Sequence, residues 1–151
     1  MTNEEKFTLY QSILERPGFS GTFFSAPNCN ALVFSEGLCQ IVTRLDGLWL
    51  VEMVASHLDK LTQAYQEDAS NDMFLVKLKV NNKNKGELKI SNFALGDKGD
   101  EACLVSQGID DTSFPFNPES EETLQETEYT FYLSLGEKDP LLFALLLPTE
   151  Y

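Results

Sequence analysis

Apolar residues recur with two different periods along this chain. Over residues 3–15 and 46–65 they return every third or fourth position, and in several stretches beyond residue 73 every second one. In Phe74-Leu75-Val76-Lys77-Leu78-Lys79-Val80, the even positions share one face and Lys77 and Lys79 lie on the other, which predicts a half-buried strand. Asn81-Asn82-Lys83-Asn84-Lys85-Gly86 is turn chemistry and Glu87-Leu88-Lys89-Ile90-Ser91 alternates again, so the pair reads as a β-hairpin. A third strand is expected over residues 102–109. Residues 127–135 give the clearest strand, with Tyr129, Phe131, Leu133 and Leu135 pointing one way. The run Leu141-Leu142-Phe143-Ala144-Leu145-Leu146-Leu147 is apolar without alternation, as in a central strand covered on both faces.

The first half is helical. Thr2-Asn3-Glu4-Glu5 has the form of a capping box, and Phe7, Tyr10, Ile13 and Leu14 follow at helical spacing, predicting a helix over 3–15 that Pro17-Gly18 ends. Residues 17–30 read as an ordered loop pinned by Phe19, Phe23 and Phe24, with an extended piece at 22–24. Residues 31–34 form a short strand and Ser35-Glu36-Gly37 a turn. For residues 38–42 the pattern leaves helix and strand both open. From Asp46, a plausible N-cap, a central helix is expected to about residue 65. Leu48, Trp49, Leu50, Val51, Met53, Val54 and Ala55 surround most of its first turns, the signature of a buried helix. Helices first and strands later argue for an α+β fold: an N-terminal helix and a buried central helix on an antiparallel sheet of about four to six strands. At 151 residues the chain is expected to be one domain, with an acidic loop at 110–126 whose start Phe114 and Phe116 anchor.

Charge changes the picture more than composition does. An apolar fraction of 42% with eleven Phe suffices for a core, and no apolar run reaches membrane-spanning length. The polar, acidic start reads as no secretory signal. Cys29, Cys39 and Cys103 form neither a C-x-x-C pair nor a zinc pattern and suit reduced thiols in a cytoplasm. The net charge of −13 is uneven. Residues 97–128 hold ten acids and one base, net −9, whereas residues 1–96 hold eleven acids and nine bases, net −2. Such a field repels phosphate backbones, which argues against direct nucleic-acid binding, and suits a basic protein partner.

Three stretches carry a resemblance. Phe34-Ser35-Glu36-Gly37 is similar to an aromatic-Thr-Asp-Gly turn, Trp49-Leu50-Val51-Glu52-Met53-Val54-Ala55-Ser56 to a W-L-[LI]-[DE]-x-[IV]-A-S helix, and Leu146-Leu147-Pro148-Thr149-Glu150-Tyr151 to an L-L-P-S-E-Y end. Together they resemble a small bacterial domain family that also occurs on phages and plasmids. The resemblance covers about residues 31–95 and 127–151. It implies an α+β domain and a mobile-element setting, and it brings no catalytic residue.

Candidate chemistry is sparse. His57 with Glu52 is the most enzyme-like pair, but five residues apart on one helix puts them about 140° apart around it. Glu52, the one acid on an apolar helix, is expected to be clamped by Arg44 or by the Ser35-Glu36-Gly37 backbone. P-loop, G-x-S-x-G, H-E-x-x-H and EF-hand patterns are absent, so no cofactor or metal is expected. The leading expectation is a non-enzymatic acidic binding or inhibitor protein. Its surface would comprise Asp97, Asp100, Glu101, Asp110, Asp111, Glu119, Glu121, Glu122, Glu126 and Glu128. Two alternatives are a ligand-binding or hydrolytic pocket near Glu36, Glu52 and His57, and a homodimer through the sheet face that carries Met73, Leu75, Lys77 and Lys79.

Overall fold

The computed structural model describes residues 2–15, 22–69, 71–81, 83, 85–92, 103–110, 112–116, 127–138 and 140–148. Its elements in chain order are α1 (Asn3–Leu14), β1 (Phe23–Ala26), β2 (Cys29–Ser35), α2 (Glu36–Arg44), α3 (Leu48–Ser56), α4 (Leu58–Glu67), β3 (Met73–Val80), β4 (Gly86–Asn92), β5 (Cys103–Ile109), β6 (Thr127–Lys138) and β7 (Leu141–Leu146). The fold is α+β. The sheet has seven strands, against the four to six expected, in the order β1-β2-β7-β6-β3-β4-β5. β1 adds to the count. It folds back on β2 through a two-residue Pro27-Asn28 turn, in which Asn28 takes a φ of 58° that asparagine tolerates. Every neighbouring pair is antiparallel except β2 and β7.

Caps set the helices. Thr2 Oγ1 accepts from the Glu5 backbone N–H at 3.1 Å and opens α1. Ser35, fully buried, accepts from the Leu38 N–H at 3.3 Å, so the residues expected as a turn begin α2. Glu36 then lies at the positive end of that helix and Arg44 at its negative end, both favourable to the helix dipole. Asp46 does not cap α3. It takes a φ of 50°, and Gly47 is the N-cap, with no side-chain cap bond. The expected continuous central helix is two helices that meet at His57, whose N–H bonds the Val54 carbonyl at 3.1 Å while its own carbonyl accepts from Lys60 and Leu61.

α3 buries Leu50, Val51 and Val54 and leaves Leu48, Trp49, Met53 and Ala55 half-buried. It packs on β1 and β2. The inner face of the sheet meets the helices with Phe74, Val76, Leu78, Phe131, Leu133 and Phe143, all fully buried. β7 lies between β2 and β6, and its residues from Phe143 to Leu146 are buried, as a central strand requires. Gly86 closes the β3–β4 hairpin where only a hydrogen fits: a Cβ there would stand 2.5 Å from the Lys79 carbonyl oxygen. Among the described residues no helix is long and apolar enough to cross a membrane.

Candidate functional site

The acidic stretch is tied to the fold at its start by the segment 112–116. Phe114 is 1% exposed and packs edge-on against Trp49, Tyr129 and Phe131, with ring centroids 5.4, 5.4 and 6.4 Å away. The Trp49 indole N–H donates to Ser113 Oγ at 2.8 Å, and that hydroxyl donates to the Asp46 carbonyl at 3.0 Å. The Asn3 side chain bonds Phe116 twice, to its carbonyl and from its N–H, each at 2.9 Å. The Tyr129 hydroxyl donates to the Pro115 carbonyl. Burial raises the Tyr10 and Tyr129 phenols far above their ordinary range, and Tyr10, whose ring stands edge to face with Tyr129 at 4.6 Å, adds to the rise at Tyr129. This clasp joins α1, α3 and β6. Phe114 and Phe116 were legible as anchors; Ser113 and Asn3, which make most of the polar bonds, carry no sequence signal beyond being small and polar.

Of the acids assigned to the interaction surface, Asp110 is exposed just beyond β5 and Glu128 is exposed on β6. Asp97, Asp100, Glu101, Asp111, Glu119, Glu121, Glu122 and Glu126 lie outside the described residues, as do Thr149, Glu150 and Tyr151.

The three residues of the alternative pocket go to different places. Glu36 is half-buried at the start of α2. Glu52 is exposed on α3, so the expected buried clamp with Arg44 or the Ser35 turn is not formed; the apolar contacts of α3 leave one side open, and the carboxylate takes it. His57 is half-buried, with Nε2 2.7 Å from Gln107 Oε1 on β5. No hydrogen bond joins Glu36, Glu52 and His57 among the described residues, and those residues hold no group of three or more metal-ligating side chains.

The outer face of the sheet holds a feature not expected from the sequence. Lys77 and Lys89 are direct cross-strand partners, and Lys79 lies between Glu87 and Glu128. A cleft of about 200 Å³ is lined by these five and Ser91. Lys89 pairs with Glu87 at 3.2 Å and holds that carboxyl below its ordinary pKa, but both side chains are nearly half exposed, so the pair adds little stability. Five of the chain's eleven bases fall within residues 77–89, a concentration that counting charge in short windows would have found. Met73 and Leu75, on the same face, are 7% and 6% exposed within one chain. The homodimer alternative thus lacks the exposed apolar residues on which it rested.

The fold and these surfaces define an α+β protein with a strongly acidic segment pinned by an aromatic clasp. The chain belongs to a family of unknown function, DUF6876, whose model matches residues 8–151. No curated protein and no solved structure matches it.

Proposed function

We propose that this chain is a non-enzymatic, cytoplasmic binding protein that presents its acidic segment to a basic protein partner, and that inhibition of a host protein by a phage- or mobile-element-encoded chain is the setting it suits. The observation that carries the reading is the concentration of charge: net −9 over residues 97–128 in a chain of −13, with a segment inside that stretch, 112–116, held by hydrogen bonds from α1, α3 and β6. Fixing part of a charged segment lowers the ordering cost of binding, and opposite charge speeds and orients encounter. The exposure of Glu52 and the bond of His57 to Gln107 support a binding role over the pocket alternative. The test is capture from host lysate by the wild-type chain and by a chain with Asp110, Asp111, Glu119, Glu121 and Glu122 changed to their amides. Basic proteins held by the wild type at low salt should be lost from the variant and released at high salt. Partners retained equally by both chains would remove the reading.

A further inference from the structure

We infer that the outer edge of β5 docks an extended segment of the partner, an uncharged stretch of about seven residues with Lys or Arg at both ends, which adds to the sheet as a further strand. The inference rests on the acidic-partner reading and adds how and where the partner binds. Among the described residues β5 pairs with β4 alone and is the terminal strand of the sheet. Natural edge strands are kept short or protected by charge, proline or a cover. β1, at the other edge, is four residues long, whereas β5 runs for seven, Cys-Leu-Val-Ser-Gln-Gly-Ile, with neither a charge nor a proline.

The strand is also held in place. Val105 is buried in the core, and Gln107 is bonded to His57, while Cys103, Ser106 and Gly108 are exposed. A fixed template spares the entropy of ordering both partners. Charge selects the occupant. In sequence the neutral strand is bracketed by Asp100-Glu101 before it and Asp110-Asp111 after it. Basic ends on an added strand would complement the acids that flank β5 in the sequence, in either chain direction. A second copy would bring the same sequence of flanking acids to this edge, like charge to like charge, and be repelled.

The probe is a blocked peptide, Lys-Lys-Thr-Val-Thr-Val-Thr-Val-Thr-Lys-Lys, tested on the full chain with amide hydrogen exchange and fluorescence anisotropy. The control is the same peptide with every central amide N-methylated, which keeps the charge and loses the backbone donors. The expected result is exchange at least tenfold slower at amides within residues 103–109, and binding at least tenfold weaker for the N-methylated peptide. Equal binding of the two peptides without protection of β5 would overturn strand addition and leave the acidic reading standing. Protection of β5 without peptide that grows with protein concentration, together with a doubled mass in sedimentation, would assign the edge to a second copy and overturn the proposal. Absence of binding by either peptide would also overturn it, whereas the lysate capture judges the acidic reading separately.

Discussion

His57 Nε2 stands 2.7 Å from Gln107 Oε1, and this bond ties the junction of α3 and α4 to the edge strand β5. The amide oxygen accepts only, so the imidazole Nε2–H donates. α3 packs on β1 and β2, near the other edge of the sheet, and the helical layer thereby reaches from one edge to the other. Replacing His57 or Gln107 with Ala should cost about 1 kcal/mol each, and the double variant should cost less than their sum. Urea unfolding measures the cycle. Strict additivity would show that the bond contributes nothing to the folded state.

Trp49 is the only tryptophan, so its emission reports directly on the clasp. Phe114→Ala should destabilise the chain by about 3–5 kcal/mol by opening a cavity between Trp49, Tyr129 and Phe131. Ser113→Ala is milder, about 1 kcal/mol, and should shift the emission because the indole N–H loses its partner. Unchanged emission in both variants would contradict the contacts described.

The buried phenols of Tyr10 and Tyr129 set a pH dependence. Their pKa values are raised in the folded chain above the ordinary 10.0, so the folded state keeps protons that the unfolded state releases. The sign follows: their contribution is fully present below about pH 10 and is lost as pH rises further, with stability falling on the alkaline side. Absorbance at 295 nm during alkaline titration checks this. Tyr10→Phe and Tyr129→Phe should leave the phenolate signal of the still-folded chain unchanged and reduce only the signal released on unfolding.

Two backbone positions separate strain from capping. Gly86→Ala places a methyl 2.5 Å from the Lys79 carbonyl oxygen and forces the hairpin apart, so a loss of at least about 2 kcal/mol is expected. Ser35→Ala removes the α2 cap and should cost about 1 kcal/mol. Thermal unfolding of the two variants ranks them, and a Gly86 variant as stable as wild type would mean the hairpin closes differently.

Local periodicity carried the elements whose burial is one-sided. The alternation from Phe74 to Val80 and from Tyr129 to Leu135 marked β3 and β6, and the Thr2 capping box marked the start of α1. It misled where an element is apolar nearly all round. The first turns of the central helix read as buried all round, yet Glu52 is exposed and four of their apolar residues are only half-buried. At the break, His57 bonds Gln107, fifty residues away, a contact that no local window contains. The parallel pairing of β2 with β7 joins Leu32 to Phe143 and is equally invisible to local patterns. For the candidate site, the excess of acids was plain in the charge count, whereas the lysines of residues 77–89 were masked by the net negative total.

The place of β7 has a consequence for synthesis. The strand that joins β2 to β6 is made of residues 141–146, so a nascent chain stopped before them holds the β1–β2 hairpin with no neighbour on one side and β6 with none on the other. Both unpaired borders are apolar and prone to wrong pairings. Sheet closure must await the emergence of Leu141–Leu146 from the ribosome.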